Sequence, residues 1–132
     1  MTAETFQCMV ITPAARIYEG QVKSVVIPAH DGKIGILPNR AALLCKLGAG
    51  RMRIRSNGAE ESWFIDGGFA RVLDNQVIVL TQEALRPAQI DRSHAQALLA
   101  EARRIKVVDE ITAGRKARLE AAARARLRIA AR

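Results

Sequence analysis

Aromatic side chains make up only 4% of the 132 residues, so few large rings are available to fill an interior or to stack on nucleic-acid bases. Any core must be assembled mainly from Val, Ile, Leu and Ala. Cysteine occurs twice, at Cys8 and Cys45. Two thiols are too few for a disulfide framework and lack metal-type spacing; each sits in an apolar stretch, as a reduced, buried thiol would. The only histidines are His30 and His94, and neither has a carboxylate or thiol at catalytic spacing. No G-x-x-x-x-G-K-[ST] loop is present, nor a G-x-G-x-x-G after a strand. No apolar run reaches the roughly 18 residues that would carry a helix across a bilayer. The opening Met1-Thr2-Ala3-Glu4-Thr5 lacks the basic and apolar regions of a signal peptide. These absences argue against an enzyme, a metal site and a membrane span, and point towards binding of other proteins.

What is present is unevenly charged. The chain is 49% apolar and 26% charged, with a net charge of +8. Residues 1–85 carry nine Lys/Arg against eight Asp/Glu, whereas residues 101–132 carry ten against four. The basic character thus belongs to the C-terminal quarter. A basic tail suits nucleic acid, an anionic membrane or an acidic protein face. The tail has no interleaved aromatics, which speaks against nucleic acid.

Residues 1–86 read as short strands separated by turns. Phe6 to Thr12 is an apolar strand ended by Pro13, and Val22 to Ala29 reads as one strand apolar on both faces. Asp31-Gly32 is a turn signal. Arg51 to Arg55 alternates strictly, and Asn57-Gly58 predicts a two-residue hairpin that pairs Arg55 with Glu60 and Met52 with Trp63. Gly67-Gly68 is expected to break the return strand, and Asp74-Asn75 to turn a further hairpin. Many short strands at this spacing indicate a β-sandwich or flattened barrel.

Residues 87–132 change character. Asp91 is placed to cap a helix carrying Ala95, Leu98, Leu99, Ala102 and Ile105, and Asp109 to cap a second helix from about Glu110. The short link at Lys106-Val107-Val108 favours an antiparallel hairpin. Gly114, Ala117, Ala121 and Ala125 form a thin stripe as its expected seam. At roughly 0.8 kcal/mol per buried carbon, such a seam holds weakly. Arg124, Arg128 and Arg132 meanwhile stack at i, i+4 and i+8, where like charges repel by about 0.2–0.5 kcal/mol per pair. The expectation is a helix that can leave its neighbour and meet an acidic surface.

Three stretches carry a family resemblance. Asp31-Gly32-Lys33-Ile34-Gly35-Ile36-Leu37-Pro38-Asn39-Arg40-Ala41 resembles the "GELGILPGHAPL" signature of the epsilon subunit of F-type ATP synthase. Ile11-Thr12-Pro13 with Ile17-Tyr18-Glu19-Gly20 is similar to the family's opening, and Gly67-Gly68-Phe69 with Val72 to its "GGF..V". The resemblance implies a ten-stranded β-sandwich followed by a helical hairpin, in a non-catalytic rotor subunit of the central stalk. It implies a surface facing the gamma subunit, at Leu37, Pro38, Arg40 and Ala41. It also implies a loop facing the membrane c-ring, at His30, Asp31, Gly32 and Lys33. The helical arm would extend into the alpha/beta catalytic head and inhibit hydrolysis through Arg115, Arg118, Arg124 and Arg128. Two positions depart from the family pattern: Arg40 replaces a usual His, and Lys33 a common acid. Without a transit peptide, the expected location is the cytoplasmic face of a bacterial inner membrane, reached only through the complex.

Against this stands a second class, a free-standing adaptor whose basic helices bind nucleic acid or anionic lipid; co-purification with a large membrane ATPase separates the two. Some relatives bind ATP at the helices through an Ile/Leu-Asp-x-x-Arg-Ala motif. Here Ile90, Asp91 and Ala95 match, but His94 replaces the Arg and Leu85 a Glu, so no nucleotide cofactor is expected. An imidazole lacks the five-donor fork with which guanidinium grips phosphate. Calorimetric titration with ATP should therefore reveal no micromolar site at this motif. A micromolar site lost on Asp91→Ala would refute the reading.

Overall fold

The computed structural model describes residues 4–131; Arg132, the last of the stacked arginines, lies outside the described residues. Eight strands are present among them: β1 (Phe6–Ile11), β2 (Arg16–Val22), β3 (Ser24–Ala29), β4 (Gly32–Ile36), β5 (Leu43–Ser56), β6 (Ala59–Leu73), β7 (Gln76–Leu80) and the short β8 (Ala84–Leu85). They are followed by α1 (Arg92–Arg103) and α2 (Glu110–Ile129). The strand order is β2-β1-β7-β6-β5-β3-β4, with β8 on β6. β1 lies between β2 and β7 and runs parallel to β7, in a register that sets Val10 beside Val79.

The sandwich is made by one long hairpin. β5 and β6 are 14 and 15 residues long and keep a single register from Leu43↔Val72 to Ser56↔Ala59. The end of β6 nearer Leu73 pairs with β7, while the far end of β5 pairs with β3. The hairpin therefore serves both layers. Phe6, Cys8 and Val79 from one layer meet Ile27, Met52 and Ile65 from the other in a common core. The fold class is as expected, but the strands number eight, not ten, and β6 runs on through Gly67-Gly68, where a break was expected. Gly67 and Gly68, at φ +70° and +103°, bend β6 without ending it. The expected single strand from Val22 to Ala29 is divided at Lys23, so Val22 ends β2 and Ser24 opens β3. The Asn57-Gly58 turn forms as expected, with Arg55↔Glu60 and Met52↔Trp63.

Cys8 is fully buried, and burial pushes its thiol up to about 12. Cys45 is only half-buried, because β5 turns it towards the edge of the core beside Leu43.

Both expected caps are in place. The Asp91 carboxylate accepts from the His94 amide at 3.2 Å, and that of Asp109 from the Thr112 amide at 2.8 Å. The amide of Thr112 holds the exposed Asp109 carboxyl below its ordinary 3.8. The seam differs from expectation: Gly114, Ala117 and Ala121 are exposed, and of the expected stripe only Ala125 is buried. The cause lies in where α2 is covered. The buried side carries Ala122, Ala123, Ala125, Arg126 and Ile129, of which Ala125 and Ile129, with Ala130, join Phe64 and Ile90, flanked by Ala49 and Leu85. Ile105 falls beyond α1, in the link.

Two glycines make opposite predictions. A Cβ on Gly68 would collide with the Leu80 carbonyl, and its φ is strained for any L residue. Gly68→Ala should cost more than about 2 kcal/mol of stability in equilibrium unfolding. Gly114 lies in α2 with nothing within 4 Å of an added Cβ, so Gly114→Ala should stabilise by about 0.5–1 kcal/mol.

Candidate functional site

The first surface is apolar. Alternation along β6 and β7 sends Ala70, Val72, Val77 and Val79 inward and leaves Phe69, Ile78 and Leu80 on the outer face. Leu44 of β5 joins them, so that Leu44, Phe69, Arg71, Ile78 and Leu80 line an open groove of about 350 Å³. Leu44 is 71% exposed and Phe69 52%. Solvent normally drives such side chains inward, so a contiguous patch of them marks a contact surface. The loop holding Leu37, Pro38, Arg40 and Ala41 precedes β5 directly. It is pinned to the β6–β7 turn, because the Asn39 amide donates to Asn75 Oδ1 at 2.7 Å. Leu37, in that loop, is itself 64% exposed. Sequence reasoning reached the loop and missed the groove. The missed signal was that Phe69-Ala70-Arg71-Val72-Leu73 and Gln76-Val77-Ile78-Val79-Leu80 place apolar residues at outward as well as inward positions.

The second region surrounds the β3–β4 turn. His30, Asp31, Gly32 and Lys33 are all exposed, with Gly32 at φ +144° closing the two-residue turn. The structure brings this turn to α2, which the sequence left separate. His30 lines one cavity with Arg118 and Ala121, and Lys33 lines another with Arg128. The four arginines of the expected inhibitory helix are spread around α2. At about 100° per residue, Arg115 and Arg118 lie on one side of α2, and Arg124 and Arg128 nearly opposite. Arg124 is paired with Glu120 at 3.1 Å.

The third feature is an arginine that sequence reasoning passed over. Arg126 lies on the covered side of α2 and is only 8% exposed. Its guanidinium donates to Glu83 Oε1 at 2.9 Å, stands 3.8 Å from Asp66, and stacks 4.7 Å from the centroid of Phe64. The two acids are tied together, because the Asp66 amide donates to the Glu83 carbonyl at 3.1 Å and to the Thr81 hydroxyl at 3.2 Å. The docked arm therefore meets two acidic partners at this point. The only hint in the sequence was spacing: Arg126 lies three or four residues from Ala122, Ala123 and Ile129, on the same side of a helix. Burial raises the Asp66 carboxyl above its ordinary 3.8 and outweighs the opposing pull of Arg126. Glu83, at hydrogen-bond distance, is the stronger partner.

Residues 5–87 match the model of the ATP synthase delta/epsilon chain β-sandwich domain. The chain belongs to this family. It is 39% identical over 101 residues to the ATP synthase epsilon chain of Synechococcus sp. (strain JA-2-3B'a(2-13)), covering 76% of this chain and 74% of that protein. It is 36% identical over 95 residues to the chloroplastic ATP synthase epsilon chain of Coffea arabica, covering 72% of each. Its fold is similar to a chain in the OSCP/F1/c-ring structure of the Euglena gracilis mitochondrial ATP synthase, with a TM-score of 0.78 and 23% identity over 94% of this chain and 79% of that one. A chain in the central stalk/c-ring structure of the Tetrahymena thermophila enzyme gives a TM-score of 0.65 at 17% identity, covering 98% and 96%.

The matched family domain ends at Pro87, so the degenerate nucleotide motif lies just past it. There Ile90 is buried against Phe64 and Ala125, Asp91 caps α1, His94 is exposed and Ala95 is fully buried. Each matching residue has a structural task. Leu85 packs against the same apolar cluster, where the expected acid would have been polar. Among the described residues, no group of three or more His, Cys, Asp or Glu could hold a metal, and no helix is long and apolar enough to cross a membrane.

Arg126→Ala should weaken docking of α2 by about 1–3 kcal/mol, read as faster hydrogen exchange of α2 amides; both acids can rehydrate, which keeps the cost below that of a fully buried pair. Asp66 sets a pH slope. Its raised folded pKa lets the native chain hold this proton where the unfolded chain has lost it. Its contribution to stability is thus full at pH values below 3.8 and is lost as pH rises through the folded value. Asp66→Asn should flatten the stability profile just above that ordinary value, and an unchanged slope would assign it to other groups.

Proposed function

We propose that this chain is the non-catalytic rotor subunit of an F-type ATP synthase, part of the central stalk that couples ion flow through the c-ring to ATP synthesis. The reading rests on family membership. The single observation in the molecule that supports it most is the apolar groove at Leu44, Phe69, Ile78 and Leu80, on β5, which directly follows the loop at residues 37–42, and on β6 and β7. In this reading, that surface grips the gamma subunit, with Leu37, Pro38, Arg40 and Ala41 at its rim. The turn at His30, Asp31, Gly32 and Lys33 faces the c-ring. The β-sandwich, residues 1–86, is the anchoring part, and residues 87–132 are a regulatory arm. The protein works at the cytoplasmic face of a bacterial inner membrane, held there by the complex.

The arm has two states in this proposal. When docked, α2 is held by Arg126 and by the cluster around Phe64 and Ile129. When extended, Arg115, Arg118, Arg124 and Arg128 meet acidic segments of the alpha/beta head, where charge-assisted bonds replace exposed cations. A gap of a few kcal/mol between the states leaves the balance open to ligands or to the ion gradient. Arg126 and the four exposed arginines therefore act in opposite directions, although they share one helix.

Phe69→Glu buries nothing new and should leave the isolated fold intact while abolishing co-purification with gamma; retained binding would move the gamma contact elsewhere. Ending the chain after Val108 should raise ATP hydrolysis by the purified complex severalfold without loss of assembly. Arg126→Ala, in the full chain, should lower hydrolysis instead, since it frees the arm to extend. Equal hydrolysis in all three complexes would mean that the arm is not a brake.

A further inference from the structure

Four cations converge on one cleft of about 420 Å³ between the sandwich and the end of α2: Lys33, Arg51, Arg53 and Arg128. The register explains how three of them come together. Lys33 of β4 pairs with Pro28 of β3, and Arg53 of β5 pairs with Val26 two residues earlier on β3. Arg51 and Arg53, two apart on β5, share the outer face opposite the buried Met52 and Ile54. Arg128 closes the cleft from the last turn of α2.

The floor between them carries no charge. It is formed by Pro28 and Gly50, and a Cβ on Gly50 would come within 2.9 Å of the Pro28 ring. No carboxylate lines the cleft, and none of the four cations enters an ion pair among the described residues. Elsewhere Arg16, Arg55, Arg86, Arg124 and Arg126 each face an acid; the other unpaired arginines do not converge on this cleft. Four like charges around an uncharged floor repel one another and focus a positive potential into a concave space. A compact polyanion relieves that repulsion, and forked guanidinium donors match phosphoryl oxygens. The volume suits a small group rather than a protein surface.

We propose that this cleft binds a phosphate-rich anion bearing two or three phosphoryl groups, either a free polyphosphate or the headgroup of a doubly phosphorylated lipid. The cleft is distinct from the degenerate nucleotide motif, none of whose residues lines it. Because Arg128 is supplied by α2, the cleft is complete only while the arm is docked. The anion therefore stabilises the docked arm by linkage. That consequence for hydrolysis rests on the two-state arm proposed above, whereas binding itself is measured on the isolated chain.

Calorimetry at low salt with inorganic tripolyphosphate should show saturable, one-to-one binding to the full chain. Arg51→Ala/Arg53→Ala and Arg128→Ala should each weaken it at least tenfold, while Arg104→Ala, on the link, should not. Hydrogen exchange at residues 122–131 should slow when the probe is bound and not in the Arg128→Ala chain. Cosedimentation with cardiolipin vesicles, against phosphatidylcholine vesicles, identifies the source: retention that is lost in Arg51→Ala/Arg53→Ala assigns a lipid headgroup, and its absence a free anion. The proposal is overturned if tripolyphosphate fails to saturate, or if Arg104→Ala weakens it as much as the cleft variants. Equal affinity for a poly-glutamate peptide of the same charge would also overturn it, in favour of an acidic protein partner.

Discussion

Two adjacent glycines let one hairpin belong to both layers of this protein. Gly67 and Gly68 take positive φ values that L side chains rarely adopt, and Gly68 lies so close to the Leu80 carbonyl that no Cβ fits. The bend keeps the β5–β6 register intact, so its hydrogen bonding carries through from one layer to the other. Without it, β6 would run straight past β7, and the inner faces that bury Ile65 and Val79 together could not meet. Asp66 on one side of the bend serves the platform beneath α2, and Phe69 on the other serves the groove.

The bend also aims charge. Asp66 immediately precedes it, and the Asp66 amide reaches the segment of Thr81 and Glu83 just beyond β7. Two acids are thereby held side by side beneath α2, where Arg126 meets them over the face of Phe64. The cost of desolvating one guanidinium is offset by a charge-assisted hydrogen bond, a second carboxylate and an aromatic face. The remaining arginines on α2 have a different role because they have different surroundings: they project into water or into open clefts. A helix of uniform composition is thus divided by its docking geometry into one inward anchor and several outward cations.

Sequence patterns reached the local structure well. Alternation at Arg51–Arg55, the Asn57-Gly58 turn and the caps at Asp91 and Asp109 depend on neighbouring residues, and each formed as expected. Features that depend on distant parts of the chain were not legible. The stripe at Gly114, Ala117 and Ala121 has helical spacing, but which side of an alanine-rich helix is covered depends on what lies beneath it. Arg126 resembled its neighbours until Asp66 and Glu83, 60 and 43 positions away, were placed beside it. The outward apolar residues at Phe69, Ile78 and Leu80 gave no separate signal, because a strand between two layers and a strand awaiting a partner have the same composition. Family motifs placed the loop at Leu37–Ala41, and the fold added the groove beside it.

The position of β1 bears on how the chain is made. Among the described residues it is the first strand in chain order, yet it sits between β2 and β7, and its parallel neighbour ends only at Leu80. A ribosome must therefore deliver most of the sandwich before the inward side of Phe6, Cys8 and Val10 can be covered. Until then β1 and β2 form an isolated two-stranded ribbon, which is marginal in water. Long-range parallel pairing of this kind slows closure, because loop entropy is lost before the contacts that repay it are formed. Emergence of β7 is the step at which the nascent chain can first become a folded domain, and a partner that caught the ribbon earlier would compete with β7 for the same edge.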